Sequence, residues 1–260
     1  MTHLKIDRPR RMTLEGVTTV RSFIARGRIQ VIGTDDDNVT LDVSEIDRHP
    51  ISVQRRDGLL FLGHHGTGWQ QVTKGRLRHR PSQHAVIYLA VPRDCNLDLW
   101  SVSAEVLASD SRGEVQVHNG EGGTTLNQLS GAVEVETSSG HVDAINLSGD
   151  VEIRSVSGTV ALYATPRRTR ALKLSSVSGD ISICLPETAD ARVHLESGNG
   201  RVSSQFRGII PVKIPGHHKA KGDIGSGSGS ASLWASSVSG RIVLLNGGNL
   251  DGLGGTGITD

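Results

Sequence analysis

Glycines at positions 113, 122, 131, 140, 149 and 158 follow one another at intervals of nine residues. Most open a similar phrase, a glycine followed by apolar and polar residues in alternation. It reads Arg112-Gly113-Glu114-Val115-Gln116-Val117, Ser130-Gly131-Ala132-Val133-Glu134-Val135, Ser148-Gly149-Asp150-Val151-Glu152-Ile153 and Ser157-Gly158-Thr159-Val160-Ala161-Leu162. The phrase returns more widely spaced at Ser178-Gly179-Asp180-Ile181 and Asn199-Gly200-Arg201-Val202, each 21 residues on, and Ser239-Gly240-Arg241-Ile242 closes the series. A fixed period of this kind is the mark of stacked repeats. The doubled nine and the 21 both read as one coil holding two strands.

Alternation at period 2 makes a strand with one buried face. The residues two and four after each glycine point inward: Val115 and Val117, Val133 and Val135, Val142 and Ala144, Val151 and Ile153, Val160 and Leu162, Ile181 and Ile183. Each strand is too short to bury that face alone, so the coils bury one another. Glycine is expected at the corners because it tolerates positive φ, and the serine before it bonds neighbouring backbone. Aromatic residues are only 3% of the chain, which suits a narrow aliphatic interior. The expected fold is all-β: a parallel β-solenoid (β-helix) with two strands per 18–21-residue coil and an irregular β N-terminal cap. An antiparallel sandwich is the competitor, and the regular spacing favours the solenoid.

Residues 1–16 read as an N-terminal extension and 17–245 as a single solenoid domain. Within it, 17–100 forms the first coils and cap, 101–206 the regular repeats, 207–230 a Gly, Ser and His-rich loop insertion, and 231–245 the last coil. Residues 63–84 read as a polar loop. The Gly-rich tail 246–260 reads as disordered.

Lys+Arg is 28 and Asp+Glu is 27, a net charge of +1. That excludes a global electrostatic grip on nucleic acid or an anionic membrane, and base stacking would want more aromatics. The first residues hold no apolar run of a secretory leader, and no stretch approaches the ~18 apolar residues of a membrane span. Cys95 and Cys184 lack metal-ligand spacing and read as reduced thiols, which points to a cytoplasmic protein.

Several phrases together resemble a bacterial family of β-strand-repeat proteins described as "putative adhesins". They are Ile29-Gln30-Val31-Ile32-Gly33, Leu59-Leu60-Phe61-Leu62, Leu89-Ala90-Val91-Pro92 and, above all, Ser176-Val177-Ser178-Gly179-Asp180-Ile181. The resemblance runs from about residue 17 to 206, with a weaker return at 233–245. It implies the repeat fold, a largely unknown function and a link to envelope stress in some members. It brings no catalytic residues to carry over.

With two strands per coil, a row on one sheet repeats every 18 residues. Gln116, Glu134 and Glu152 share one outward row; His118, Glu136 and Arg154 share the next. Rows stack at roughly 4.8 Å, so His118, Glu134, Glu136, Glu152 and Arg154 form one charged patch. It reads as a solvated face or as a glycan or cation site, and the Glu134/Glu152 pair suggests a retaining glycosidase. Lys74, Arg76, Arg78 and Arg80 form a basic loop suited to phosphates or an acidic partner. His64-His65 and His217-His218 read as exposed loop pairs rather than a metal site. The Asp of calcium rolls is missing from most repeats. No Gly-x-Ser-x-Gly, His-Glu-x-x-His or Walker motif is present.

The expectation is therefore a non-enzymatic scaffold or binding module, without cofactor or metal, for a protein or polysaccharide partner. It binds no specific nucleic acid and has no membrane span. The alternatives are a polysaccharide-acting β-helix enzyme using the Glu row, and a structural protein that self-assembles through its solenoid ends.

Overall fold

The computed structural model describes residues 2–64, 83–164, 171–225 and 231–248. Among them there is no helix, and 22 strands form one hydrogen-bonded network. The first eight are β1 (Thr2–Ile6), β2 (Arg10–Leu14), β3 (Thr19–Thr34), β4 (Val39–Ile46), β5 (Ile51–Arg56), β6 (Leu59–His64), β7 (His84–Pro92) and β8 (Asn96–Ser109). The repeats supply β9 (Val115–Glu121), β10 (Thr124–Asn127), β11 (Val133–Thr137), β12 (Val142–Leu147), β13 (Val151–Ser155), β14 (Val160–Ala164), β15 (Ala171–Ser176) and β16 (Ile181–Leu185). The chain ends in β17 (Ala191–Ser197), β18 (Val202–Ser204), β19 (Ile210–Ile214), β20 (His217–Ile224), β21 (Ala231–Ser237) and β22 (Ile242–Asn246).

The strands run in two ladders. One follows β1–β5–β6–β3–β8–β9–β11–β13–β15–β21–β17–β20–β19. The other follows β2–β4–β7–β3–β8–β10–β12–β14–β16–β22–β18. The long strands β3 and β8 serve both, their first halves in one ladder and their second halves in the other. Through the repeats every pairing is parallel, and Val133 sits between Val115 and Val151, 18 residues either way. The inward residues read from the alternation are all buried, and one continuous aliphatic core runs from Ile6 to Leu244.

The corner glycines are required for a different reason than expected. Of the six at nine-residue spacing, only Gly122 has a positive φ, at 104°. What they share is proximity. A Cβ on Gly140 would lie 1.7 Å from the Gly122 carbonyl oxygen, on Gly158 1.8 Å from that of Gly140, and on Gly179 1.9 Å from that of Gly158. Successive coils turn with backbone against backbone, and no side chain fits between them.

A column of polar side chains lines the same corner from within. Ser101, Asn119, Thr137, Ser155, Ser176, Ser237 and Ser197 are register neighbours in that order and all are buried. They satisfy the turns. The N–H groups of Gly179 and Gly240 donate to the hydroxyls of Ser176 and Ser237, each at 2.8 Å. The serine directly before the glycine instead bonds the adjacent coil, as Ser157 does to the Ser138 carbonyl at 3.0 Å.

Three sequence expectations need correction. Residues 1–16 are not a mere extension: β1 and β2 pair antiparallel with β5 and β4, and Ile6 is buried. Residues 207–230 are not simply a loop: they hold β19 and β20, which form an antiparallel hairpin beside β17, its inner face filled by Ala220 and Ile224. The coils also do not stack in chain order. β21 and β22 insert between β15/β16 and β17/β18, so the strands latest in the chain are not last in the stack.

Candidate functional site

The outward face of the first ladder carries the predicted patch. Parallel pairing aligns Asp98, Gln116, Glu134, Glu152 and Lys173 in one row, and Trp100, His118, Glu136 and Arg154 in the next. Arg154 organises the centre. One terminal nitrogen donates to Glu134 at 2.7 Å and to Glu136 at 2.8 Å, and the other to Glu152 at 2.6 Å. Lys173 donates to the same Glu152 oxygen at 2.8 Å. His118 Nδ1 lies 3.1 Å from Glu136. Side chains from four adjacent strands thus form one polar network at the surface.

The network has chemical consequences. The hydrogen bond from Lys173, with help from Arg154, holds the Glu152 carboxyl below the usual carboxylate range. A glycosidase acid needs the opposite direction. The guanidinium of Arg154 is raised further by its bonds to Glu134 and Glu136.

The charged rows predicted from the repeats leave out an aromatic neighbour of the patch. The rings of Trp100 and His118 stack with centroids 3.9 Å apart and planes 23° apart. Asp98 accepts from the Trp100 indole N–H and from Arg21 Nε, the latter at 2.6 Å, which fixes the indole. Beside this stack lies a groove of about 480 Å³. Trp100, His118, Glu136 and Arg154 form one side, and corner residues Val102, Gly120, Ser138 and Val156 the other. Gly120 and Ser138 are the small residues of that corner, so the trough lies between two valines. The signal for Trp100 was available: it stands 18 residues before His118.

The other candidates fall elsewhere. Lys74, Arg76, Arg78, Arg80 and His65 lie outside the described residues. His64 is buried at the end of β6 rather than in an exposed loop. His217 and His218 are on β20, nine strand spacings from β6 and so roughly 40 Å away. The described residues contain no group of three or more metal-ligating side chains. Cys95 and Cys184 are free and buried, and burial pushes the Cys95 thiol up to about 11. No helix among the described residues is long and apolar enough to cross a membrane.

The two ladders and their glycine corners are the frame that the Toastrack DUF4097 family model matches over residues 10–244. The chain belongs to that family. The match takes in every strand but β1, including β2, β19, β20, the inserted β21 and the first residues of β22. Among solved structures, this Toastrack chain is similar to a "putative adhesin" from Bacteroides fragilis, at 10% identity and a TM-score of 0.45, covering 94% of this chain and 97% of that one. A "putative cell adhesion protein" from Clostridium sporogenes is 14% identical, with a TM-score of 0.30, over 92% and 100% of the two chains. A "putative lipid binding protein" from Parabacteroides distasonis is 12% identical, with a TM-score of 0.34, over 92% and 97%. No curated protein matches this chain.

Proposed function

We propose that this Toastrack protein is a non-enzymatic binding module, and that the outward face of its first ladder receives a macromolecular partner. The observation that carries the reading is the composition of the groove. An aromatic stack, an apolar corner and a paired ion network lie together on one sheet, which is how a recognition surface is furnished. The depressed Glu152 carboxyl argues against Glu152 as the acid of a glycosidase carboxylate pair. The fold that goes with this reading is a β-solenoid of two strands per 18–21-residue coil, supported by the 18-residue registers.

The test is co-purification from the native host with mass spectrometry, using wild type and a Trp100→Ala/Arg154→Ala variant of unchanged melting temperature. A partner held by wild type and lost by the variant is expected. An identical set retained by both rules out this face. Reducing-sugar release from bacterial polysaccharides by wild type, lost in both Glu134→Gln and Glu152→Gln, would replace the reading with a hydrolase.

A further inference from the structure

The stacked Trp100–His118 unit has a counterpart on the same face. Trp234 on β21 and His194 on β17 are register neighbours with ring centroids 6.4 Å apart. His194 Nε2 lies 3.1 Å from Glu196 on its own strand, and His118 Nδ1 lies 3.1 Å from Glu136 on the neighbouring strand. A cation completes each: Lys219 stands 3.3 Å from Glu196, and Arg154 stands 2.8 Å from Glu136. The two tryptophans are five strand spacings apart, from β8 to β21, roughly 24 Å across the coils. The two clusters share a tryptophan, a histidine, a glutamate and a cation, although the first ring pair is stacked and the second tilted at 40°.

We infer that these two constellations are paired subsites for one extended, uncharged oligosaccharide chain lying across the strands; the inference rests on the binding-module reading above. At the first subsite three carboxylates share two cations, and at the second Glu196 has Lys219, so most of the charge is taken up within each subsite. An anionic ligand would meet Glu134, Glu136 and Glu152, and a cationic one would meet Arg154 and Lys173. Either would have to compete with half-exposed ion pairs already made. A neutral polyhydroxyl ligand breaks none. Carboxylates and guanidinium retain lone pairs and N–H groups beyond those used in the network, and both suit hydroxyls. The C–H face of a pyranose ring is apolar and packs on an aromatic side chain, while its hydroxyl rim reaches the paired charges. A nucleobase would also stack, but its phosphates would face three carboxylates. The separation sets the length: a disaccharide fills one subsite, whereas a hexasaccharide reaches from one to the other and gains from the linkage.

The experiment is isothermal titration of the full chain with β-1,4-linked glucose, mannose and N-acetylglucosamine oligomers of two and six units, and with oligogalacturonate as the acidic control. The expected result is a neutral hexamer bound at least tenfold tighter than its dimer, with no oligogalacturonate binding. Trp100→Ala and Trp234→Ala should each lower hexamer affinity tenfold or more, toward the dimer's level. Glu136→Ala and Glu196→Ala, which keep both rings, should weaken it at unchanged melting temperature. Absence of binding by every neutral oligomer, or hexamer binding indifferent to both tryptophan variants, overturns the inference. The same variants in the co-purification separate the two claims. A partner lost with Trp100 while no oligomer binds sinks the glycan inference alone; a partner indifferent to the face sinks the binding-module reading as well.

Discussion

At the scale of single residues, the glycine column and one histidine make the sharpest demands. A Cβ at Gly158 would sit 1.8 Å from the Gly140 carbonyl oxygen of the preceding coil, at a corner held between β11 and β12. Gly158→Ala is therefore predicted to cost about 3 kcal/mol or more, read as a lower denaturant midpoint, whereas Gly216→Ala, with nothing within 4 Å and a φ of 87°, incurs only backbone strain. His64 is 1% exposed, and burial pushes its imidazole down to about 4. Asp47 opposes that shift, and His49 and His84 add to it. The unfolded chain binds the proton more readily, so this contribution to stability is complete above pH ~6.5 and is lost as pH falls toward 4. The loss is bounded at roughly 3 kcal/mol, at ~1.4 kcal/mol per unit. His64→Leu should flatten the fall in melting temperature between pH 7 and pH 4.5; an equally steep fall in the variant would place the acid sensitivity elsewhere.

At the scale of elements, the corner hydroxyls decide whether a turn can be buried. Ser237 accepts from the Gly240 N–H inside the protein, so Ser237→Ala leaves that donor unsatisfied. The predicted cost is about 1–3 kcal/mol, while Ser239→Ala, at an exposed bond to the Val177 carbonyl, should shift the melting temperature far less. These elements were the legible part of the sequence. Val133, Val151 and their neighbours announce their inward direction through period 2, and the glycine interval announces an 18-residue register, so the rows of Glu134, Glu152, Glu136 and Arg154 follow from counting. Trp100 follows by counting back one coil. Trp234 beside His194 does not, because their adjacency depends on which coil stacks on which. Ser155-Val156-Ser157-Gly158, Ser176-Val177-Ser178-Gly179 and Ser237-Val238-Ser239-Gly240 are locally interchangeable corners, and a period carries no information about stacking order. Strand β20 was illegible for another reason. His217-His218-Lys219-Ala220-Lys221-Gly222 shows no apolar alternation, since at the end of the stack only Ala220 and Ile224 face the core.

At the scale of the whole molecule, the stacking order turns the chain's last strands into an interior coil. β21 lies between β15 and β17, and β22 between β16 and β18, all parallel. Leu233, Ala235, Ile242 and Leu244 fill the core at that level. In a solenoid stacked in chain order, trimming the last coil shortens the column and leaves the rest intact, because each coil touches only its neighbours. In this chain the same cut removes a middle layer. It strands the coil of β17 and β18, with the β19–β20 hairpin attached, and bares the inner edges of β15 and β16. A chain ending at residue 225 is therefore predicted to lose cooperative folding, or to aggregate through those unpaired edges, rather than to melt as a slightly shorter version of itself. The arrangement also implies that the stack closes late: residues 191–225 have no parallel partner until 231–246 has formed. The check is circular dichroism and thermal melting of chains ending at 225 and at 190. The 190-residue chain removes the stranded coil along with its missing partner, so it should retain more ordered strand per residue than the longer one. If the 225-residue chain melts cooperatively within a few degrees of the full protein, the coil of β21 and β22 is dispensable and does not occupy the middle of the stack.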